Sequence, residues 1–298
     1  MRKLIFRTLI FAVVFLAACS SGFSFDFSED EDLLSQKTFL NIAHRGASGH
    51  APEHTLPAYE LGKKMKGDFI EIDLQLTADG KIVVIHDNYI DRISTKSGKV
   101  SSFTLEELKQ LDVGSWFNKK YPKRANPDFK NLKVLTLEEI LDTFGDDINY
   151  YLEIKETDDI DLLLDKMFET LHEYDLIERK DRDARIVIHS FNFEYLLKIH
   201  EEEPSIPLVQ LLRFRKKANL SKDRLNMIKE YAVGIGLNHK RLSAKFVEKV
   251  KDSGLLIHPY TVNDKARMKQ IIGWGVTGMS TNFPDRLNEV LEELKVGG

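Results

Sequence analysis

Short β-rich runs alternate with amphipathic, helix-like stretches from Thr38 onward, and this alternation restricts the possible folds more than any other feature of the sequence. The predicted strands are Phe39–His44, Phe69–Leu76, Ile148–Ile154, Arg185–His189, Leu208–Leu212, Val233–Leu237, Leu255–Tyr260 and Val276–Ser280. The predicted helices in the intervals between them include Asp159–His172, Phe193–Glu202, Lys222–Tyr231, Ala244–Ser253, Asp264–Gly273 and Pro284–Leu294.

A strand followed by a helix, repeated eight times without an evident interdomain linker, predicts an α/β chain folded as a TIM-type (β/α)8 barrel. The chain has 298 residues, and single barrels of this kind take about 250. The main rival is a doubly wound open sheet. The first predicted strand is not followed by a G-x-G-x-x-G turn, which argues against a dinucleotide-binding version of that rival.

One further β-rich run, Lys81–His86, does not fit the alternation. The connection to it from the second strand contains Ala78–Gly80 and is too short for a parallel crossover, which needs about a dozen residues. The two runs must therefore pair antiparallel, as a hairpin that rises from the barrel. With the turn at Ala78–Gly80, the hairpin would return His86 to the level of Glu71 and Asp73.

The segment 88–136 is predicted to be a loop insertion after the second strand, on the barrel face where active sites are built. It contains two capping-box patterns, in which Thr104 and Thr136 each precede a glutamate by three residues, and we predict that a helix begins at each. Between them, Gly114–Asn131 is rich in Trp, Phe, Tyr, Lys and Pro and is predicted to be irregular. It is either a lid or recognition element or an ordinary surface loop.

The N-terminal residues predict export. Met1–Arg7 is basic, Leu9–Ala18 is apolar, and the apolar run stops at Cys19. An apolar segment this short falls below the roughly 20 residues that span a bilayer, and it matches the central region of an export signal. A buried core helix would not explain the basic leader.

The run Leu16-Ala17-Ala18-Cys19 resembles the lipobox of bacterial lipoproteins, in which the cysteine becomes the lipidated first residue. Cys19 is the only cysteine of the chain, which excludes a disulfide within one molecule. We therefore predict a lipoprotein signal peptide over residues 1–18, with a simple cleaved signal as the alternative. Lipidation at Cys19 and a flexible acidic tether over residues 19–36 would hold the domain, residues 37–298, on the outer side of the cell membrane.

The overall charge argues against one class of partner. The formal net charge is −4, and because the leader is basic, the rest of the chain is more acidic still. Non-specific nucleic-acid binding depends on basic surface that neutralises phosphates. We expect no nucleic-acid partner.

Two carboxylates, Glu71 and Asp73, lie two residues apart on one predicted strand and so point to the same face. If that face is the barrel interior, a cationic group must lie between them, because unpaired buried carboxylates are very costly. Glu153 holds a similar position on the next strand. Three converging carboxylates without a cysteine suit Ca²⁺ or Mg²⁺ better than zinc. The alternative is a solvent-facing acidic alternation on an edge strand of an open antiparallel sheet.

Two histidines, His44 and His86, are candidates for proton transfer, because imidazole titrates near neutral pH. A single histidine at a strand end is more often structural, whereas two beside three carboxylates favour acid/base chemistry. Arg45 and Lys155 carry charges that could hold a phosphate group. For Lys155, pairing with Glu153 or a neighbouring glutamate is the alternative.

Several short motifs follow one another along the chain. They are His44-Arg45-Gly46, Pro52-Glu53-His54-Thr55, Glu71-Ile72-Asp73, the run from Gly80 to His86-Asp87, the run from Leu108 to Trp116-Phe117, Leu152-Glu153-Ile154-Lys155 and Thr261-Val262-Asn263. In this order they resemble the glycerophosphodiester phosphodiesterase family, over nearly all of the chain that follows the tether. Members of that family hydrolyse glycerophosphodiesters to sn-glycerol 3-phosphate and an alcohol.

The resemblance implies a role for each matching residue. Divalent metal, Ca²⁺ or Mg²⁺, would be bound by Glu71, Asp73 and Glu153; the acid/base pair would be His44 and His86; and substrate would be held by Arg45, Lys155, Glu53 and Tyr260. Glu53 would support His44 or the metal site, and Tyr260 would offer an aromatic face to the glycerol. Either water or a substrate hydroxyl beside the phosphate could be the nucleophile.

The chain departs from the family pattern at four positions. His54 stands where Asn is usual, Tyr260 where Trp is usual, and Thr277 and Asn282 where two aspartates are usual. We expect Thr277 and Asn282 to serve the barrel end or the substrate rim, and so to affect substrate choice more than activity.

Two other functions share some of these features. A related barrel phosphodiesterase of the phospholipase type would share the fold, although the carboxylate set argues against a metal-free version. A non-catalytic solute-binding lipoprotein would share the anchor and the α/β composition, but it would not need two histidines and three inward carboxylates.

Overall fold

The computed structural model of the protein describes residues 39–177 and 185–296. The predicted signal peptide at 1–18, Cys19 and the tether at 19–36 lie outside the described residues. Within the described part, none of the helices combines the length and the apolar character that a bilayer crossing requires.

The described residues form nine strands. These are β1 (Leu40–Ala43), β2 (Phe69–Leu76), β3 (Ile82–Val84), β4 (Tyr150–Ile154), β5 (Ile186–Ser190), β6 (Leu208–Leu212), β7 (Gly234–Asn238), β8 (Leu256–Tyr260) and β9 (Gly278–Thr281). All except β3 are joined in parallel, in the order β8-β7-β6-β5-β4-β2-β1-β9. The sheet nearly closes between β8 and β9, where Val262 N–H donates to the Ser280 carbonyl at 2.9 Å. The predicted (β/α)8 barrel is confirmed.

Helices cover the outside of this barrel. Those in the described residues are α1 (Leu56–Lys64), α2 (Leu105–Lys109), α3 (Ser115–Lys120), α4 (Leu137–Phe144), α5 (Ile160–Glu173), α6 (Phe193–Glu202), α7 (Lys222–Lys229), α8 (Ala244–Asp252), α9 (Lys265–Ile272) and α10 (Pro284–Val296). The six predicted helices correspond to α5 to α10, with ends that differ by at most two residues.

The alternation of side chains along β2 explains how the barrel places polar groups inside. Ile70, Ile72 and Leu74 belong to the main apolar core between the sheet and the helices, whereas Phe69 belongs to a separate cluster inside the barrel. Since successive strand residues point to opposite faces, Glu71 and Asp73 share the interior face with Phe69. The same alternation that builds the core therefore carries two carboxylates into the barrel.

The predicted hairpin is present, and it is shorter than the sequence suggested. β3 pairs antiparallel with β2, and the turn between them has Gly80 at φ 68°. Regular pairing ends at Val84 instead of continuing to His86, although Ile85 N–H still donates to the Asp73 carbonyl at 3.2 Å. His86 thus returns to the level of the carboxylates, as predicted.

Both capping boxes are present, and one of them shows why the helix forms there. Thr136 accepts from Glu139 N–H while the Glu139 carboxylate accepts from Thr136 N–H, which satisfies two backbone donors at the start of α4. The helix then buries Leu137, Ile140 and Phe144 on one face.

The prediction that Gly114–Asn131 is irregular was wrong. The segment contains α3 and two 3₁₀ turns, and the start of α3 is fixed by Asp112, whose carboxylate accepts from Ser115 N–H at 3.0 Å. Phe117 is fully buried against Phe129. The aromatic residues of this segment suggested a loop in the sequence, but in the structure they pack into a small hydrophobic core.

Candidate active site

The loop after β1 brings a cation against the carboxylates of β2. Arg45 and Gly46 both have left-handed backbone, with φ of 59° and 78°. A Cβ on Gly46 would lie 2.6 Å from backbone atoms of Ala58, so the tight reversal requires glycine there. The reversal lets Arg45 N–H donate to Glu71 Oε2 at 2.7 Å and brings the Arg45 Nε within 3.5 Å of Asp73.

Glu53 supports this arginine from outside the cavity. Its carboxylate accepts from Arg45 at 2.9 Å and from Arg92 at 2.6 Å. Although burial opposes ionisation, Arg45 and Arg92 lower the pKa of Glu53 to about 2. The structure therefore places Glu53 against two arginines, where it positions Arg45; its predicted contact with substrate stays a prediction.

Asp73 is held on several sides. His54 Nε2–H donates to Asp73 Oδ2 at 2.7 Å, and His54 Nδ1 accepts from the Tyr59 hydroxyl at 2.9 Å. Lys155 Nζ lies 2.8 Å from Asp73 Oδ1 and 2.5 Å from Glu153 Oε1. The alternative that Lys155 pairs with Glu153 is thus realised here, with Asp73 as a second partner.

The hairpin end is pinned so that His86 faces the same site. Gln75 on β2 donates to the carbonyls of Ile85 and Asp87 at 2.7 and 3.0 Å. His86 Nδ1–H donates to Asp87 at 2.6 Å, and Asp87 also accepts from Arg92 at 2.5 Å. Because Nδ1 donates to Asp87, Nε2 is the ring nitrogen of His86 that is available for proton transfer.

His44 has a different partner. Its Nδ1 lies 2.7 Å from the Asn282 side-chain oxygen, and Asn282 N–H donates to Asn263 Oδ1 at 2.9 Å. Asn282 therefore orients a candidate catalytic group, whereas the sequence led us to expect an effect on substrate choice more than on activity. Thr277 does lie at the barrel end, where its hydroxyl accepts from Ile257 N–H at 2.8 Å.

A cavity of about 280 Å³ joins these groups. The predicted residues that line it are His44, Arg45, Glu71, His86, Glu153, Lys155 and Tyr260. Asp73 and Glu53 do not line it but contact Arg45. The cavity is also lined by residues that were not predicted from the sequence, which include Tyr151, His189, Phe191, Arg213 and His258.

Burial and neighbouring charges together shift the pKa values of the three carboxylates. It raises the pKa of Glu71 well above its usual value, and the nearby Asp73 adds to the rise. Burial also raises the pKa of Glu153, with Asp73 adding to the rise and Lys155 opposing it. For Asp73, burial is outweighed by Lys155 and by the hydrogen bond from His54, which hold its pKa well below the usual range.

Burial acts on the imidazoles in the opposite sense. It lowers the pKa of His44 well below its ordinary value, and Arg45 lowers it further. It lowers the pKa of His189 to about 3 and that of His258 to about 4. These three rings are neutral at physiological pH, as a proton acceptor or a metal ligand must be.

The donor atoms fit a divalent cation. Two groups of candidate ligands, His54–Glu71–Asp73 and Glu71–Glu153–His189, each have their ligand atoms within 4.8 Å of one another. Glu71 and Asp73 are 1% and 0% exposed, which excludes the solvent-facing edge strand. The three carboxylates predicted from the sequence are divided between the two groups, and their role as one metal set stays a prediction.

His189 had a weak signal in the sequence: it stands near the C-terminal end of a predicted strand, as Glu153 does. A lone histidine in that place usually belongs to the core, so this signal does not by itself indicate a role. Arg92 had no signal, because its contacts with Glu53 and Asp87 arise from a 3₁₀ turn in the insertion.

A parallel barrel that gathers four imidazoles, buried carboxylates and two buried cations in one cavity at the strand ends has the groups that a hydrolase of phosphate esters needs. The comparison with known proteins narrows this class. Residues 44–286 match the glycerophosphoryl diester phosphodiesterase family, and the chain belongs to that family.

Individual relatives agree with this membership. The chain is 44% identical over 282 residues to a glycerophosphodiester phosphodiesterase of Bacillus subtilis (strain 168), covering 95% of this chain and 93% of that one. It is 32% identical over 254 residues to a glycerophosphodiester phosphodiesterase of Caldanaerobacter subterraneus subsp. tengcongensis, covering 83% and 96%.

A solved structure supports the fold. A phosphodiesterase of Oleispira antarctica, in complex with the product sn-glycerol-3-phosphate, superposes with a TM-score of 0.72 at 24% identity, covering 84% of this chain and 96% of that one.

Proposed function

We propose that the protein hydrolyses glycerophosphodiesters to sn-glycerol 3-phosphate and an alcohol. The observation that carries this proposal is that His44 and His86 line one cavity with Arg45 and Lys155. Cleavage of a phosphodiester needs one group that takes a proton, another that gives one, and positive charge at the phosphate oxygens.

The different partners of the two imidazoles support separate roles. His44 is buried against the neutral amide of Asn282, which suits a base that starts unprotonated. His86 donates through Nδ1 to the carboxylate of Asp87, which fixes the orientation of its ring beside the cavity. His44 would take the proton of the attacking hydroxyl, and the oxygen of that hydroxyl would bond to phosphorus. His86 would protonate the departing alkoxide as the bond between phosphorus and the alkoxide oxygen breaks.

Arg45 and Lys155 would bind the phosphate oxygens, where negative charge gathers in the transition state. We further propose that Glu71, Asp73 and Glu153 hold a divalent cation, Ca²⁺ or Mg²⁺, which when bound would neutralise charge on the phosphate. Lys155 would exchange its contacts with Asp73 and Glu153 for the oxygens of the bound phosphate.

The test is an assay of the full-length protein, purified in detergent, with several glycerophosphodiesters and Ca²⁺ or Mg²⁺. Glycerol 3-phosphate should form, and His44→Ala and Glu71→Ala should each lower kcat/KM by about two orders of magnitude or more. His172→Ala on α5 and Glu248→Ala on α8, both at exposed positions, serve as matched controls.

Two results would contradict the proposal. A solute-binding lipoprotein would show no turnover with any diester, and a metal-free phospholipase would keep full activity in chelator.

We also propose that Cys19 is lipidated and that the protein works outside the cytoplasm, anchored to the cell membrane. The support is the sequence Leu16-Ala17-Ala18-Cys19 after a basic and apolar leader. Fatty-acid labelling should mark the wild-type chain and not Cys19→Ser, and the variant should be lost from the membrane fraction. Label in the variant would contradict this proposal.

A further inference from the structure

Three neighbouring strands of the barrel carry one row of polar side chains. Asp73 on β2 is in register with Glu153 on β4, and Glu153 is in register with His189 on β5. Residues paired in this way project to the same face of a sheet. His189 therefore extends the row of buried carboxylates by one strand.

The Nε2 atom of His189 is buried and has no hydrogen-bond partner among the described residues. The residue is 6% exposed, and an unsatisfied buried polar atom costs about 1–3 kcal/mol. The nearest carboxylate oxygen in an ion-pair arrangement, Oε1 of Glu71, is 4.0 Å away, too far for a hydrogen bond. Two ligands bound at about 2.0–2.5 Å to one ion can be separated by such a distance.

Glu153 is the third candidate ligand in this arrangement. Ligand atoms of Glu71, Glu153 and His189 all lie within 4.8 Å of one another. The His189 ring packs against the Tyr151 ring in a T-shaped arrangement, with 4.6 Å between ring centroids. The nitrogen therefore lies beside two buried carboxylates.

The other buried imidazoles of the site do not offer a comparable nitrogen. His54 uses Nε2 for Asp73 and Nδ1 for Tyr59, so both of its nitrogens are engaged. His258 has an unpartnered Nε2, but in the described part of the chain it joins neither cation-binding group, and its Nδ1 lies 2.9 Å from the Tyr151 hydroxyl.

We propose that Nε2 of His189 coordinates the divalent cation together with Glu71 and Glu153. This inference rests on the proposed function, which requires a cation at this site. Imidazole nitrogen suits first-row transition ions such as Fe²⁺, Ni²⁺ and Zn²⁺, whereas Ca²⁺ and Mg²⁺ prefer oxygen ligands. The protein is therefore expected to bind first-row transition ions more tightly than a site with oxygen ligands alone would.

The direct test is pulsed electron paramagnetic resonance of the metal-depleted, full-length protein loaded with Mn²⁺ in detergent. Electron spin echo modulation should show a ¹⁴N nucleus bound directly to Mn²⁺, and labelling with ¹⁵N-histidine should replace it with the ¹⁵N pattern. Bound Mn²⁺ without nitrogen coupling, or no Mn²⁺ binding, would overturn the inference without any variant.

Variants identify the nitrogen. His189→Gln should abolish the coupling and lower the affinity for Mn²⁺ relative to Ca²⁺ about ten-fold or more. His258→Gln is the matched control, since it removes a second buried imidazole of the same cavity, and it should keep the coupling. Coupling that survives in His189→Gln and disappears in His54→Gln would overturn the inference.

The spectroscopic and catalytic readouts separate this inference from the proposed function. Hydrolysis of glycerophosphodiesters by protein whose Mn²⁺ shows no nitrogen coupling would overturn the ligand and leave the function in place. Coupling that depends on His189, in protein without turnover, would support the ligand and overturn the function.

Discussion

Asn282 presents its side-chain oxygen 2.7 Å from Nδ1 of His44. An amide oxygen only accepts hydrogen bonds, so Nδ1 carries the proton and Nε2 keeps the lone pair that a base needs. The family resemblance places a carboxylate at position 282. The amide in this chain orients the ring equally well but adds no negative charge beside it.

Asn282→Asp should therefore raise the pKa of His44, because an adjacent carboxylate favours the imidazolium form. If His44 is the base, the acidic limb of the pH dependence of kcat/KM moves to higher pH. Asn282→Leu, which removes the hydrogen bond without adding charge, should lower activity about ten-fold or more without this upward shift. NMR titration of the His44 ring checks the pKa directly, and an unchanged value in Asn282→Asp would contradict the argument.

His54 stands where the family usually has asparagine, and its ring contacts Asp73 and Tyr59. An asparagine amide could still donate to Asp73, whereas a leucine could not. We expect His54→Asn to retain most of the activity. His54→Leu should destabilise the fold by about 1–3 kcal/mol, because it removes the buried hydrogen bonds that the ring makes with Asp73 and Tyr59, and it should reduce activity. Denaturant unfolding and kcat/KM measure the two effects; equal behaviour of the two variants would show that the hydrogen bond to Asp73 is unimportant.

The parts of the site that were predictable are those that local alternation determines. Ile70, Ile72 and Leu74 mark one face of β2, so Glu71 and Asp73 had to lie on the other. The short connection between β2 and β3 likewise required a hairpin and brought His86 to the site. In each case the physical constraint acts over a few neighbouring residues and can be read from the chain.

The remaining parts depend on contacts between distant segments. Nothing near His189 in the sequence distinguishes a ligand from a core histidine; only its register with Glu153 does. Asn282 reaches His44 because the last strand pairs with the first, which a residue pattern cannot show at the level of one side chain. Aromatic composition misled the prediction for the Gly114–Asn131 segment, since burial of Phe117 is a tertiary effect.

Gly46→Ala should damage both the fold and the site. The residue has φ 78°, and an added Cβ would lie 2.6 Å from the backbone of Ala58, which cannot give way as a flexible side chain could. We expect a loss of about 1–3 kcal/mol in the free energy of unfolding. Activity should fall further than the folded fraction does, because Arg45 and His44 are moved. Gly273→Ala at the end of α9, where φ is −61°, is the control and should change little.

As the pH rises, metal-free Glu71→Gln should become more stable than the metal-free wild type. Burial raises the pKa of the folded Glu71 carboxyl, whereas in the unfolded chain it is about 4.3. The folded protein therefore holds a proton that the unfolded chain has lost, so its stability falls as the pH rises from about 4.3 through the raised value. Glutamine cannot ionise and escapes this loss, while its side-chain oxygen can still accept from Arg45 N–H.

An added divalent cation should make the wild type more stable than Glu71→Gln. A divalent ion at a hundred times its Kd stabilises the wild type by about 2.7 kcal/mol, and Glu71→Gln, which lacks an ionised ligand, should gain much less. Thermal unfolding between pH 4 and pH 9, in chelator and in Ca²⁺ or Mn²⁺, measures both effects. If Glu71→Gln were the less stable protein in chelator at pH 8, the Glu71 carboxylate would already be neutralised by Arg45 and Lys155. The interior would then have no unmet charge for a metal to compensate.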